Sequence, residues 1–547
     1  MKRVIFIVFS GLFFFNAPAQ FKGKLPVIVE PQFKKDTFNI SKYGAVADGN
    51  TLNTKSINAA IDACSKKGGG VVLVPPGLWV TGPIVLESNV NLHLAAGATI
   101  LFTKDFAQYP LVRGNWEGLP QMRNQSPVSA TGATNIAITG KGIIDGNGDA
   151  WRMVKKDKLT ESQWKKLVES GGVVSDDKKT WYPSEKTLKG SKTQNPGMIT
   201  PEKDAAYFES VKDFLRPNLL VLANCKYVLL EGVTFQNSPA WCLHPLMCEN
   251  LTVRNVSAKN PWYAQNGDGI DVESCKNVLI EGSTFDVGDD GICIKSGRDE
   301  EGRKRGMPTE NLIVRNCVVY HAHGGFVIGS EMSGGARNLY VSNCTFLGTD
   351  IGLRFKTTRG RGGIVENIFI DGIYMKDIPA EAILFDMYYM AKDPVTLVGE
   401  KRELPKVEFK AVDETTPQFR NFYVNNVYCD GAEKGIFVRG LPEMHVKNIV
   451  FQNMVLQAKK GFDIQEASAV VFKNIKMIST ETNPVIDIVQ SDLLVFDNIS
   501  YKEGSELLFR INGERSNNIN IKNTDASKAK EKIAYELGAT EKSVGSR

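Results

Sequence analysis

The clearest pattern along the chain is Asn-apolar-x-apolar. It occurs as NLTV at Asn250, NVLI at Asn277, NLIV at Asn311, NLYV at Asn338, NIFI at Asn367, NFYV at Asn421 and NIVF at Asn448. The successive spacings are 27, 34, 27, 29, 54 and 27 residues, and 54 is twice 27. A period in this range marks a stacked repeat. Apolar residues two apart indicate strands, whose side chains alternate between faces, and exclude an α-solenoid, which needs spacings of three and four. A second ladder, Asn255, Asn316, Asn343, Asn426 and Asn453, follows five residues behind the first. Asparagine tolerates the left-handed backbone of a sharp turn between strands, and stacked side-chain amides bond to one another. Cys317 and Cys344, one repeat apart, then stack inside the core. The pattern predicts a parallel β-helix.

The remaining segments fit around that solenoid. Residues 1–19 read as a signal peptide: Lys2 and Arg3, an apolar run from Val4 to Phe15, then Ala17-Pro18-Ala19 as a cleavage site. Residues 20–37 are a linker and 38–100 a cap with the first coils. Within the cap, Ile57, Ala60, Ile61 and Cys64 share one helical face, with Asn53 or Thr54 as N-cap; such a helix covers the apolar end of a solenoid. Residues 101–525 form the β-helix, interrupted by insertions at 147–216 and 390–419, and 526–547 form a polar tail at the surface. Insertions of this kind emerge on one face, either as a binding wall or as surface loops.

Composition removes several function classes. A formal charge of +5 over 547 residues, with no basic stripe interleaved with aromatics, argues against nucleic acid. No segment after the signal is long and apolar enough to span a bilayer. The mature chain is expected to be exported, periplasmic or extracellular, and monomeric. Nine cysteines, an odd count, leave at least one thiol unpaired; a Cys242–Cys248 disulfide is open. No spacing suits a metal site, and no cofactor is implied.

A third register carries the chemistry. Gly269, Gly291, Gly325 and Gly352 open the strands GIDV, GICI, GFVI and GLRF on consecutive coils. Asp268 and Asp290 stand one residue before their glycines; Asp289 and His323 stand two before. On the fourth strand Arg354 and Lys356 alternate with Leu353 and Phe355, so both point outward. Coils stack about 4.7–4.9 Å apart, which gathers three carboxylates, an imidazole and two cations into one patch. Like charges so crowded raise carboxyl pKa values. An acid and a carboxylate side by side are what glycoside hydrolysis uses. Asp271 lies outside the glycine register and is read as a support. Glu273 and Glu331 are read as supporting or exposed, His321 as a neighbour, and His93, His244 and His445 as structural or surface.

The strings NGDGID (266–271), GDDGICIKSG (288–297), HGGFVIGSE (323–331) and RFK (354–356) resemble, in order, the four signatures of glycoside hydrolase family 28, the polygalacturonase-like pectinases. GAVADGNTLNTKSINAAI, from residue 44, is similar to the start of that superfamily. Gly267, Ala322 and Phe355 depart from the usual residues, but no ionisable group is lost. The resemblance implies an all-β, single-stranded, right-handed pectin-lyase-like β-helix. It implies Asp289 as general acid, Asp268 and Asp290 as the pair activating water for single displacement with inversion, and His323 as support for the acid. It further implies Arg354 and Lys356 as the grip on a uronate carboxylate, Asn266 as a sugar contact or as orienting Asp268, and Tyr389 as a substrate contact. Rhamnogalacturonan-backbone members lack the histidine and the cation pair, so their presence favours galacturonate at the cleaved bond.

The expected substrate is therefore pectic polysaccharide or a galacturonate oligosaccharide, cut at α-1,4 galacturonide links. The insertions and the basic stretch 296–306, with Arg303, Lys304 and Arg305 as either an extra carboxylate grip or a solvated run, could close one end of the groove and give exo action from the non-reducing end. The alternatives are endo action, a galacturonide in branched pectin, a β-helix lyase, and a non-catalytic carbohydrate-binding β-helix.

Overall fold

Alternating apolar residues fold as three strands per turn, and each turn is laid on the last by parallel pairing. The computed structural model describes residues 24–391, 404 and 408–545. The signal-like segment 1–19 and much of the 390–419 insertion lie outside those residues. A typical coil comprises Ile270–Glu273, Lys276–Glu281 and Thr284–Asp286. It pairs in register with Asp290–Lys295, Thr309–Arg315 and Val318–Tyr320 of the next. Inward-facing residues form continuous columns, one running Leu220, Leu243, Ile270, Ile292, Phe326, Leu353 and Ile383, all fully buried. Each such side chain contributes about 1.5–3 kcal/mol relative to exposure, offset by the cost of ordering the chain. The fold is a right-handed parallel β-helix, matching the expectation.

The first asparagine ladder forms; the second shares the left-handed turn, with φ of 52–55°, but Asn426 and Asn453 donate to Asp371 and Asn425 instead of to ladder members. The seven repeat-starting asparagines have φ between 56° and 59°. Amides hydrogen-bond from coil to coil: Asn311 to Asn277 (3.1 Å), Asn338 to Asn311 (3.3 Å), Asn367 to Asn338 (3.3 Å), Asn421 to Asn367 (3.4 Å) and Asn448 to Asn421 (3.2 Å). The Asn421–Asn367 bond corrects one inference. The 54-residue step is a single coil enlarged by the insertion, since Ile368 pairs directly with Phe422.

The four glycines of the third register have a steric cause. A Cβ on Gly269, Gly291, Gly325 or Gly352 would meet Phe285 at 2.7 Å, Val319 at 2.4 Å, Phe346 at 2.4 Å or the Met375 sulfur at 2.4 Å. Those four partners are themselves one stacked column on an opposite wall. The coils are closely packed there, leaving no room for a side chain at these positions. Gly325→Ala is expected to cost about 1–3 kcal/mol by overpacking, read as a lowered urea midpoint with unchanged m-value; an unchanged midpoint would mean the wall is not tightly packed.

The ends differ in how well they were foreseen. The helix Thr54–Lys66 buries Ile57, Ala60, Ile61 and Cys64, as the periodicity requires. Asn53 precedes it, but its side chain bonds Val46, Thr51 and Val80 instead of capping. The expected polar tail is not a tail. Glu531–Glu536 pairs in parallel with Leu507–Asn512, because Ile533 and Tyr535, two residues apart, both pack on the core and extend the stack. All nine cysteines are free and buried, so Cys242 and Cys248 form no disulfide. Cys317 and Cys344 occupy the same position on successive coils. No helix among the described residues is long and apolar enough to cross a membrane.

Candidate active site

Parallel register places Asp268 beside Asp290, and Asp289 at the turn just before the strand Asp290–Lys295. One oxygen from each of the three carboxylates lies within 4.8 Å of the others. Their surroundings differ. Asp268 is 3% exposed and one of its oxygens is buried without a partner. Burial, then the charges of Asp271 and Asp289, push its carboxyl well above the usual range. Asp290 is equally buried, which alone would raise its carboxyl too. Lys356 at 2.7 Å and Arg354 at 3.1 Å overcome this and hold it well below the usual range. Asp289 is the open member, its side chain 24% exposed. Two adjacent carboxylates are thus shifted in opposite directions, because Lys356 and Arg354 pair with Asp290 while only the more distant Lys295 offsets the burial of Asp268.

The residue two before each of the last three glycines builds a second column. His323 Nδ1 lies 3.3 Å from Asp289, and its Nε2 lies 3.7 Å from Asp350. Asp350 sits two before Gly352, the same offset as Asp289 and His323, so the register contained it although the sequence reading passed it over. The hydrogen bond to Asp289 raises the imidazole's pKa; burial opposes this, and the charges of Asp289, Asp290 and Asp350 add to it. Asp350→Asn is expected to lower that pKa, so that His323 loses its proton at lower pH than in the unaltered chain, as followed by NMR of the ring protons. An unmoved titration would remove Asp350 from the column.

The remaining candidates fall into place with some changes. Arg354 and Lys356 do not stand out in solvent: Lys356 is 7% and Arg354 16% exposed, both turned onto Asp290. Tyr389 lies below both, 5.0 Å from the Lys356 nitrogen and 5.7 Å from the Arg354 guanidinium carbon. Asn266, in a left-handed turn, accepts at its amide oxygen from Arg216 at 3.0 Å and lines a cleft with Asp289, His323 and Trp262. Met153, Val154, Lys155 and Lys158 of the 147–216 insertion form its far wall.

Beneath the carboxylates lies a charged floor that sequence reasoning left largely unassigned. Lys295 is buried between Glu331 at 2.9 Å and Asp271 at 3.5 Å, against the Trp241 ring. Its signal was present: Ile292 and Ile294 face inward, so Cys293 and Lys295 face the site. Glu273 and Glu331 are supports, fully engaged by His244 and Arg305, and by Lys295. Arg305 is therefore committed to Glu273, while Arg303 binds backbone oxygens of Gly360 and Arg361 and Lys304 pairs with Glu300. His321 pairs with Asp286 at the surface.

On one side a hairpin crosses to the coil that carries Asp290. The hairpin Leu111–Trp116 and Leu119–Asn124, an excursion the repeat pattern does not reveal, reaches across to the loop after Lys295. Arg298 N donates to Gly118 O at 3.3 Å, its guanidinium meets Glu117 at 3.3 Å, and Trp116 stacks on Trp241 at 5.6 Å.

Residues 209–434 match the family described as glycosyl hydrolases family 28, and residues 37–203 match one described as rhamnogalacturonase A/epimerase, pectate lyase-like. A hyperthermoactive exopolygalacturonase of Thermotoga maritima superposes with a TM-score of 0.66 at 32% identity, covering 82% of this chain and 93% of that one. An exo-poly-alpha-D-galacturonosidase of Dickeya chrysanthemi is 28% identical over 80% of this chain and 70% of its own length. A probable polygalacturonase of Vitis vinifera is 30% identical over 61% of this chain, which spans 60% of that relative. The chain belongs to glycoside hydrolase family 28, a family of polygalacturonase-type glycosidases.

Proposed function

We propose that the chain is an exo-polygalacturonase that hydrolyses α-1,4-linked galacturonic acid from the non-reducing end of pectic chains, with inversion. The observation that carries the chemistry is Asp290 kept ionised by Lys356 and Arg354 while Asp289, within reach, opens to the groove. Asp290 takes a proton from water, which Asp268 helps to hold in place, as the water oxygen bonds to the anomeric carbon. The glycosidic C–O bond breaks on the opposite face, and its oxygen takes the proton of Asp289, supported by His323. The facing oxygens stand within 4.8 Å, closer than the roughly 6.5–9.5 Å between the carboxyl groups of an inverting pair. Asp289, the exposed member, would have to turn outward from the Asp290 N–H and His323 to reach that spacing as sugar and water enter. Arg354 and Lys356 extend their grip to the uronate carboxylate, for which a planar guanidinium is suited; Tyr389 backs both.

Exo action rests on the strap formed by the Glu117–Arg298 pair and the Trp116–Trp241 stack, which ends the groove, and on the names of the Thermotoga and Dickeya relatives. Export to the periplasm or beyond rests on the signal-like residues 1–19. The two fixed cations on Asp290 also disfavour a lyase reading that would seat Ca²⁺ among these carboxylates.

Defined galacturonate oligomers provide the test. Short product should appear from the first time point; a ladder of intermediates means endo action, and no cleavage refutes hydrolysis. Proton NMR of fresh product should register the β-anomer first, since inversion acts on an α-link; the α-anomer first would overturn single displacement.

A further inference from the structure

Strand alternation turns every second side chain of a coil away from the core, and one such outward column is apolar. It lies on the second strand of each coil, not on the wall that carries Asp268, Asp289 and Asp290. It runs Leu229, Thr252, Leu279, Ile313, Tyr340, Phe369, Tyr423, Val450, Val471 and Val495, each paired with the next. Ion-pair ladders flank it. On one side Glu281 bonds Arg254 at 2.7 Å and Arg315 at 2.6 Å; on the other Glu310 bonds Lys276 at 3.2 Å and Arg337 at 2.7 Å. These charges satisfy one another, so the furrow between them suits an apolar occupant. Parallel strands that are apolar on both faces are covered on both.

Part of that cover is visible. The N-terminal segment climbs this wall outside the coils. Glu30 pairs with Arg254 at 2.5 Å, and Val29 N donates to Asn250 Oδ1 at 3.2 Å, on the coil of the fully buried Thr252. Leu25 lies further along, in a groove of about 480 Å³ shared with Ile313, Tyr340, Phe369, Tyr423 and Val450. Ile313 is only 5% exposed there. Four extended residues, Val29 to Leu25, span about 13 Å, close to three coils. At the same pitch Phe21, four residues before Leu25, comes within reach of Phe369 and Tyr423.

The floor at that point suits an aromatic ring. Tyr340, Phe369 and Tyr423 stack on one another, with centroids 5.3 and 5.0 Å apart and planes 6° and 8° from parallel. Their faces are turned to each other along the axis, so their edges form the floor. Ring edges are electropositive and favour the face of a further ring. A saccharide, which stacks on an open ring face, finds none.

We propose that residues 20–23 continue the N-terminal segment along this groove, and that the ring of Phe21 seats on the edges of Tyr340, Phe369 and Tyr423. The occupant is a piece of this chain, and it holds the N-terminal end on a wall apart from the cleavage groove. The proposal does not rest on the proposed hydrolysis.

The test places photo-reactive p-benzoylphenylalanine at position 21 of the exported full chain. Irradiation and peptide mass spectrometry should join residue 21 to segments around Tyr340, Phe369 or Tyr423 of the same molecule. Cross-links elsewhere, none at all, or links between two molecules would overturn the proposal, the last by giving the groove to a second copy. So would loss of the cross-link in excess trigalacturonate, which would give the groove to a saccharide, or an exported chain that begins beyond Phe21. Phe21→Ala should also lower the urea midpoint, and by less than half as much in a chain carrying Phe369→Leu, since contacting residues are not additive. Equal lowering in both chains, or none in either, would place Phe21 elsewhere. Neither readout uses hydrolysis, so both stand whether or not the chain cleaves galacturonides.

Discussion

Replacing Asp289 by asparagine should lower kcat on trigalacturonate by about 10²–10⁴-fold, the range of a lost general acid, with KM changed little. The amide has the same shape and cannot release a proton. Asp289 is the most open of the three carboxylates, so its replacement leaves no buried charge stranded, and thermal stability should hold. Its hydrogen bond is the largest cause of the raised His323 pKa, so the variant's imidazole should titrate at lower pH. A galacturonide with an aryl leaving group needs no proton as it departs, and its hydrolysis should be lost far less. A variant within tenfold of the unaltered rate on trigalacturonate would remove Asp289 from the role; equal losses on both substrates would assign it to binding or to water activation instead.

How much of this was legible in sequence depends on distance along the chain. The column of glycines and the carboxylates before them could be read because one coil is one repeat, so sequence offset and spatial position coincide. Asp350 obeys that rule as fully as His323. Only its offset from Gly352 marks it, since it lies in none of the four signature strings. Lys295 was also within reach, since strand alternation alone turns it toward the site. The strap was not. Glu117 and Arg298 lie far apart in sequence, and a hairpin of mixed polar residues has no period linking it to the coil it touches. The last coil was misread as a polar tail because its outward charges outnumber the two apolar residues that dock it. The outward face inferred for Arg354 and Lys356 was right as backbone geometry. It failed as exposure, because a buried carboxylate one coil away draws long cationic side chains down onto it.

That attraction sets the second large effect. Lys356→Met keeps the length and apolar stem of the side chain and removes its charge. Asp290 is then left at 2% exposure with Arg354 alone, and removing one partner of a buried pair costs about 3–5 kcal/mol. The direction with pH separates this from lost packing. A carboxyl held below its unfolded value, near 3.9, adds stability that is present above that value and is lost as pH falls through the lower, folded one. Without Lys356 the folded value rises. The variant's deficit should therefore be greatest at neutral pH and shrink on acidification, as Asp290 takes up a proton that no longer costs an ion pair. The acid limb of kcat/KM should move to higher pH for the same reason, because Asp290 must be ionised to activate water. Denaturant midpoints and rate profiles from pH 3 to 8 check both. A deficit constant with pH, together with an unmoved acid limb, would mean that Lys356 supports the site by packing and that something else keeps Asp290 charged.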